Sequence, residues 1–171
     1  MKQAIRLIGA ALLLAVLGCG YHLQGRSDAL PEEIRSLYIE MMENGTREPF
    51  LENAVTNAIV ERFSRHQQLV LVEDRNRADA ILGGRLVGYG RSAISYNPVD
   101  EIAEYRSEIA LNAVLRRGDN GLPLWKGTVR WAEEYTTSRD KALQDARESA
   151  AIEQASQRLA DELYSRIVDG F

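Results

Sequence analysis

The chain has 171 residues, with 21 lysines and arginines against 25 aspartates and glutamates and a net charge of −4. That balance excludes the basic footprint of a general nucleic-acid binder. A single cysteine, Cys19, excludes an internal disulfide, so stability rests on packing in a chain long enough for one domain with a core.

Lys2 and Arg6 precede an uncharged apolar run over residues 7–17. This is the layout of a secretory signal, and it is shorter than the ~20 apolar residues of a membrane-spanning helix. The run ends Val16-Leu17-Gly18-Cys19. Two aliphatic residues, a small residue and a cysteine resemble a bacterial lipobox, in which the cysteine is lipidated and becomes the first mature residue. The reading is a signal peptide over residues 1–18, removed, then a lipidated N-terminus and linker over residues 19–33. The competing reading is an ordinary signal peptide that ends by chance at a cysteine. Lipidation would add three acyl chains. Each buried CH₂ contributes about 0.8 kcal/mol and one chain anchors only marginally, so three give a lasting anchor. The residue after Cys19 is Gly20 rather than the aspartate of inner-membrane retention, which predicts the periplasmic side of the outer membrane. Losing Lys2 and Arg6 with the leader takes the net charge from −4 to −6.

The domain is expected over residues 34–171. Leu37, Ile39 and Met41 alternate with polar residues and predict a first strand. Pro49 suits the first turn of a helix, and Leu51, Val55, Ala58, Ile59 and Phe63 fall at helical spacing behind it. The apolar run at residues 69–72 predicts a short strand, parallel to the first through a βαβ crossover. Residues 78–96 are β-like and glycine-rich. Gly83, Gly84, Gly88 and Gly90 do not match a phosphate-binding loop and no helix follows them, so they predict bulges or close backbone contacts.

The next two segments form a hairpin across the turn cluster at residues 118–123. One face carries Ile109, Leu111, Ala113 and Leu115; its partner carries Trp125, Val129, Trp131 and Tyr135. A register in which partner numbers sum to 240 sets Ile109 against Trp131 and Leu111 against Val129, giving one dry face. Residues 140–168 predict a closing helix roughly 43 Å long. Thr137 and Asp140 form a capping box, and Ile152, Ala155, Leu159, Leu163 and Ile167 form the stripe. The order βαββββα predicts an α+β two-layer sandwich, with two helices packed on one face of a four- to five-stranded mixed sheet.

Catalytic chemistry has no foothold. His22 and His66 are the only histidines, no metal-ligand spacing joins them to the cysteine, and no nucleophile elbow occurs. Neither an enzyme nor a cofactor is expected, apart from the lipid on Cys19. The informative surface is the sheet face left bare by the helices. It would carry Arg106, Glu108, Asn112, Arg116, Lys126, Thr128, Arg130 and Glu134. Such a face is either simply solvated or meets an anionic ligand or a polar cavity wall.

Cys19-Gly20-Tyr21-His22-Leu23-Gln24-Gly25 resembles the mature start of the LptE family of lipopolysaccharide-assembly lipoproteins. Residues 103–115, Ala-Glu-Tyr followed by an alternating strand, resemble that family's central strand, and the element order agrees. The resemblance implies two helices on a four-stranded sheet and no enzymatic activity. It implies a plug inside the LptD β-barrel that supports barrel assembly and lipopolysaccharide delivery to the outer leaflet. A barrel lumen is polar, which suits the bare face. Arg116, Lys126 and Arg130 are the candidate contacts to lipid A phosphates. The basic positions that members use before the Ala-Glu-Tyr stretch are absent from residues 97–105, and Gln144 stands where a lysine is expected, with Arg139, Lys141 and Arg147 nearby. The other reading is an accessory or pilot lipoprotein of a different outer-membrane machine.

Overall fold

The computed structural model describes Pro31 and residues 33–169. The expected signal peptide, Cys19 and most of the linker lie outside the described residues. The elements are β1 (Ser36–Ile39), β2 (Glu43–Asn44), α1 (Leu51–Ser64), β3 (Val70–Leu71), a 3₁₀ turn (Arg75–Arg77), β4 (Ala80–Tyr96), β5 (Ile102–Arg117), β6 (Pro123–Thr136) and α2 (Lys141–Asp169). The sheet runs β3-β1-β4-β5-β6, with β2 also paired to β4. The two-layer α+β arrangement is as expected. The sheet has six strands because the first segment divides into β1 and β2.

The parallel crossover holds: Ser36 pairs Val70 and Leu37 pairs Leu71. So does the hairpin register, with Ile109 opposite Trp131, Leu111 opposite Val129 and Leu115 opposite Trp125, but the face expected to be dry is not dry at Trp131, which is 36% exposed. Leu37, Leu82, Leu86, Ile109, Leu111, Leu115 and Val129 form the sheet side of the core. Val55, Ile59 and Phe63 of α1 and Ala155, Leu159, Leu163 and Ile167 of α2 cover it. Both stripes sit at the 3.6-residue period that puts their members on one side of a helix.

Three local expectations shift. Met42 is 1% exposed and Met41 is 65% exposed, so the alternation expected through Met41 slips by one. The cause is a buried bond: the Met42 N–H donates to Thr56 Oγ1 of α1 at 3.0 Å, which turns Met42 inward. Pro49 precedes α1 rather than entering its first turn. Phe50 intervenes in the left-handed region at φ 61°, uncommon outside glycine. Finally, Asp140 rather than Thr137 caps α2. Its Oδ1 accepts the Leu143 N–H at 3.1 Å, the N-cap geometry, while the Thr137 hydroxyl donates to the Ile102 carbonyl at 2.7 Å.

The chain enters the domain at the hairpin end of the sheet. Glu33 pairs with Arg117 at the end of β5. Asp79, just before β4, accepts the backbone N–H groups of Arg35 and Ser36 at 3.1 and 2.9 Å and the Ser36 hydroxyl at 2.7 Å. The Ser36 hydroxyl, followed by those N–H groups, holds the Asp79 carboxyl below the usual carboxylate range. Gly118 completes this junction by donating its N–H to the Asp79 carbonyl at 2.8 Å. A Cβ on Gly118 would run into the Ala78 carbonyl oxygen. Gly118→Ala is therefore expected to destabilise the fold by about 1–3 kcal/mol, as overpacking does. A denaturant midpoint equal to that of the parent would show that the junction yields.

Candidate functional site

The sheet face opposite the helices is built by β4, β5 and β6, and every polar residue expected on it is exposed. The hairpin register makes this unavoidable. With partner numbers summing to 240 over most of its length, even-numbered residues of β5 and β6 share the outer face. Arg106 pairs with Glu134 through Nε at 3.1 Å, and the Thr128 hydroxyl donates to Asn112 Oδ1 at 2.8 Å. Gly88 and Gly90 of β4 lie opposite Ala110 and Glu108, which leaves the middle of the face shallow.

The side chains of Arg116, Lys126 and Arg130 make no hydrogen bond or ion pair among the described residues. Arg116 and Lys126 are diagonal neighbours, because Lys126 pairs with Val114, two residues before Arg116. Such diagonals lie about 7–8 Å apart. Arg130 is four residues farther along β6, opposite Ala110, roughly 13 Å from Lys126. The structure thus gathers two of the three cations near the hairpin end and sets the third apart.

Two further arginines border the same face. Arg85 of β4 is paired with Asn112 and bonds to Glu43 at 3.0 Å; Arg75 bonds to Glu40 at 3.2 Å. With Tyr38, Asn112 and Arg116 they line a groove of about 580 Å³. Sequence reading missed both. Arg85 sits in the glycine-rich segment whose bulges hid its facing, and Arg75 reaches the face from a 3₁₀ turn.

The cations just before and early in α2 are already engaged. Arg139 bonds both Glu101 oxygens at 2.7 and 2.8 Å, and this holds the Glu101 carboxyl below its usual range. Lys141 bonds Asp145 at 2.7 Å. Arg147 donates to the Thr136 and Thr137 carbonyls at 3.2 and 2.6 Å. Gln144 accepts the Ser138 N–H at 2.8 Å, while its own amide nitrogen is buried without a partner among the described residues.

A polar tier lies between the other sheet face and the start of α2. Tyr89 donates to Glu148 at 3.0 Å and Arg91 bonds the same carboxylate. Burial raises the Tyr89 phenol well above its ordinary value. Burial, then the nearby Glu148 charge, raises the Glu48 carboxyl. Register shifts between Leu86 and Gly88 flip the parity of β4, so Leu82, Leu86, Tyr89 and Arg91 all face the helices. Among the described residues no group of histidine, cysteine and carboxylate side chains can hold a metal ion. No described helix is long and apolar enough to cross a membrane.

A family model described as LptE, lipopolysaccharide-assembly, matches residues 34–167. No curated protein matches the chain. Among solved structures, a protein from Xanthomonas campestris superposes with a TM-score of 0.59 at 14% identity, covering 84% of this chain and 88% of that one. An uncharacterized lipoprotein B from Nitrosomonas europaea gives 0.56 at 14% identity, covering 87% and 90%. A hypothetical protein from Chlamydia trachomatis gives 0.56 at 9% identity, covering 77% and 94%. At these identities the likeness is one of fold.

Proposed function

The chain belongs to the LptE family, a lipopolysaccharide-assembly family, and on that premise we propose that it is a lipid-anchored plug of an LptD-like outer-membrane β-barrel. Cys19 carries the anchor and holds the protein on the periplasmic side of the outer membrane. The domain supports assembly of the barrel and delivery of lipopolysaccharide to the outer leaflet, and it performs no covalent chemistry. The observation that carries the reading is the family match across nearly the whole domain.

The bare sheet face supports the orientation. It is polar and shallow, with Arg116, Lys126 and Arg130 unengaged among the described residues. A barrel lumen presents polar side chains, so this face meets the barrel wall, while the unpaired cations remain available to phosphates of lipid A. Affinity capture from outer membranes is expected to recover one large barrel in equal amount. Recovery of a secretin or another machine in its place would favour a pilot lipoprotein. A photocrosslinker at Thr128 on the bare face, or at Asn120 in the β5–β6 turn, is expected to capture the barrel. Capture only from probes on α1 and α2 would reverse the orientation.

A further inference from the structure

We propose that the two Asn-Gly steps of this chain have opposite chemical fates: Asn120–Gly121 deamidates in the native protein, and Asn44–Gly45 deamidates only in chains that are unfolded. In such a step the glycine backbone nitrogen attacks the asparagine Cγ. The new N–C bond forms as the bond to the side-chain nitrogen breaks, and ammonia leaves. Water then opens the succinimide at either carbonyl, giving aspartate or isoaspartate. Glycine favours the step because it has no Cβ to hinder ring closure.

At Asn44 every participant is held. The Gly45 N–H, the nucleophile, donates to the Leu86 carbonyl at 3.0 Å. Asn44 Oδ1 accepts the Thr46 N–H at 2.9 Å and the Thr46 hydroxyl at 2.8 Å. Its Nδ2 donates to the Glu48 carbonyl at 2.8 Å and to Glu52 Oε2 at 2.6 Å. Asn44 also belongs to a parallel strand pair, opposite Leu86, where ψ is about +115°. The ring needs the opposite sign of ψ, so β2 must detach before the nitrogen reaches Cγ. Glycine is nonetheless required at 45, since a Cβ would stand 2.6 Å from the Leu86 oxygen. The fold thus keeps a reactive dipeptide and blocks its reaction.

Asn120 is different. It is exposed in the β5–β6 turn. Its Oδ1 accepts one N–H, from Leu122 at 3.0 Å, and its Nδ2 has no partner among the described residues. Gly121 donates to the Arg117 carbonyl at 3.0 Å within a solvent-facing turn, which opens at little cost.

The consequence falls on folding. An aspartate at 44 puts a carboxylate where an amide now donates to Glu52, and it loses the donor to Glu48. A chain modified there cannot close the β2–α1 junction, so the modification marks chains that stayed unfolded too long.

The test incubates the full-length lipoprotein in mildly alkaline buffer, native in detergent or denatured in urea. Mass spectrometry then follows replacement of NH by O in tryptic peptides 36–47 and 118–126. In urea the two sites are expected to react at similar rates. In the native protein the rate at Asn44 relative to Asn120 is expected to fall about tenfold or more, because opening must precede attack. An unchanged ratio overturns the proposal. Separately, Asn44→Asp is expected to lower the melting temperature while Asn120→Asp leaves it unchanged; a parental melting temperature for Asn44→Asp overturns the folding consequence.

Discussion

Cys19→Ala is expected to abolish acylation completely and to move the protein from the membrane to the soluble periplasmic fraction. The size of the effect follows from how the protein meets the bilayer. No described helix is long and apolar enough to cross it. In the proposed arrangement the lipid on Cys19 holds the protein to the membrane. At about 0.8 kcal/mol per buried CH₂, one chain binds reversibly and three bind lastingly, so removing the attachment point removes all three chains together. A barrel partner would hold some of the unlipidated protein, and that fraction saturates with the barrel. Expression above the barrel's level therefore exposes the loss. Palmitate labelling followed by fractionation reads both effects. Label that still enters the alanine variant would refute the assignment of Cys19 and point to a different anchor.

Much of the domain is legible because its signals are repetitive. The β5–β6 register follows from two apolar stripes on opposite strands that have only one parity with a common face. The helix stripes need only a 3.6-residue period, and all of α1's expected residues are buried. Legibility ends where one contact outweighs the pattern. The Thr56 hydroxyl takes the Met42 N–H, and this single bond from another element reverses the alternation at residues 41 and 42. Hydrogen bonds around Asn44 hold the turn to Glu48, which delays α1 past Pro49. The bulge before Gly88 flips β4, so the sequence could place Arg85 and Arg91 on neither face. For the candidate site, the same hairpin parity that made Arg116, Lys126 and Arg130 readable as one face does not separate near from far along it. That distinction comes from the register instead, which sets Lys126 opposite Val114 and Arg130 opposite Ala110.

Changing Arg116, Lys126 and Arg130 together to glutamate is expected to weaken lipopolysaccharide binding by the purified lipoprotein about tenfold or more. Contacts from these side chains to phosphate would be charge-assisted, and reversing the charge replaces attraction with repulsion at each. Folding should survive, because the three side chains are exposed and bond to nothing among the described residues. The spacing makes the expectation finer. Arg116 and Lys126 are close enough to grip one phosphate, whereas Arg130 stands apart. The double variant Arg116→Glu/Lys126→Glu should therefore carry most of the loss, and Arg130→Glu alone a minor part. Salt gives an independent check. The screening length falls from about 10 Å at 0.1 M to about 3 Å at 1 M, so the parent protein should lose affinity with added salt more steeply than the triple variant. Unchanged affinity in a triple variant with a native circular dichroism spectrum would remove this face from ligand binding. The cations just before and early in α2 would not replace it without a cost, since Arg139 and Lys141 would first have to leave Glu101 and Asp145. In that event the bare face would serve the barrel wall alone, and the ligand would have to enter elsewhere on the domain.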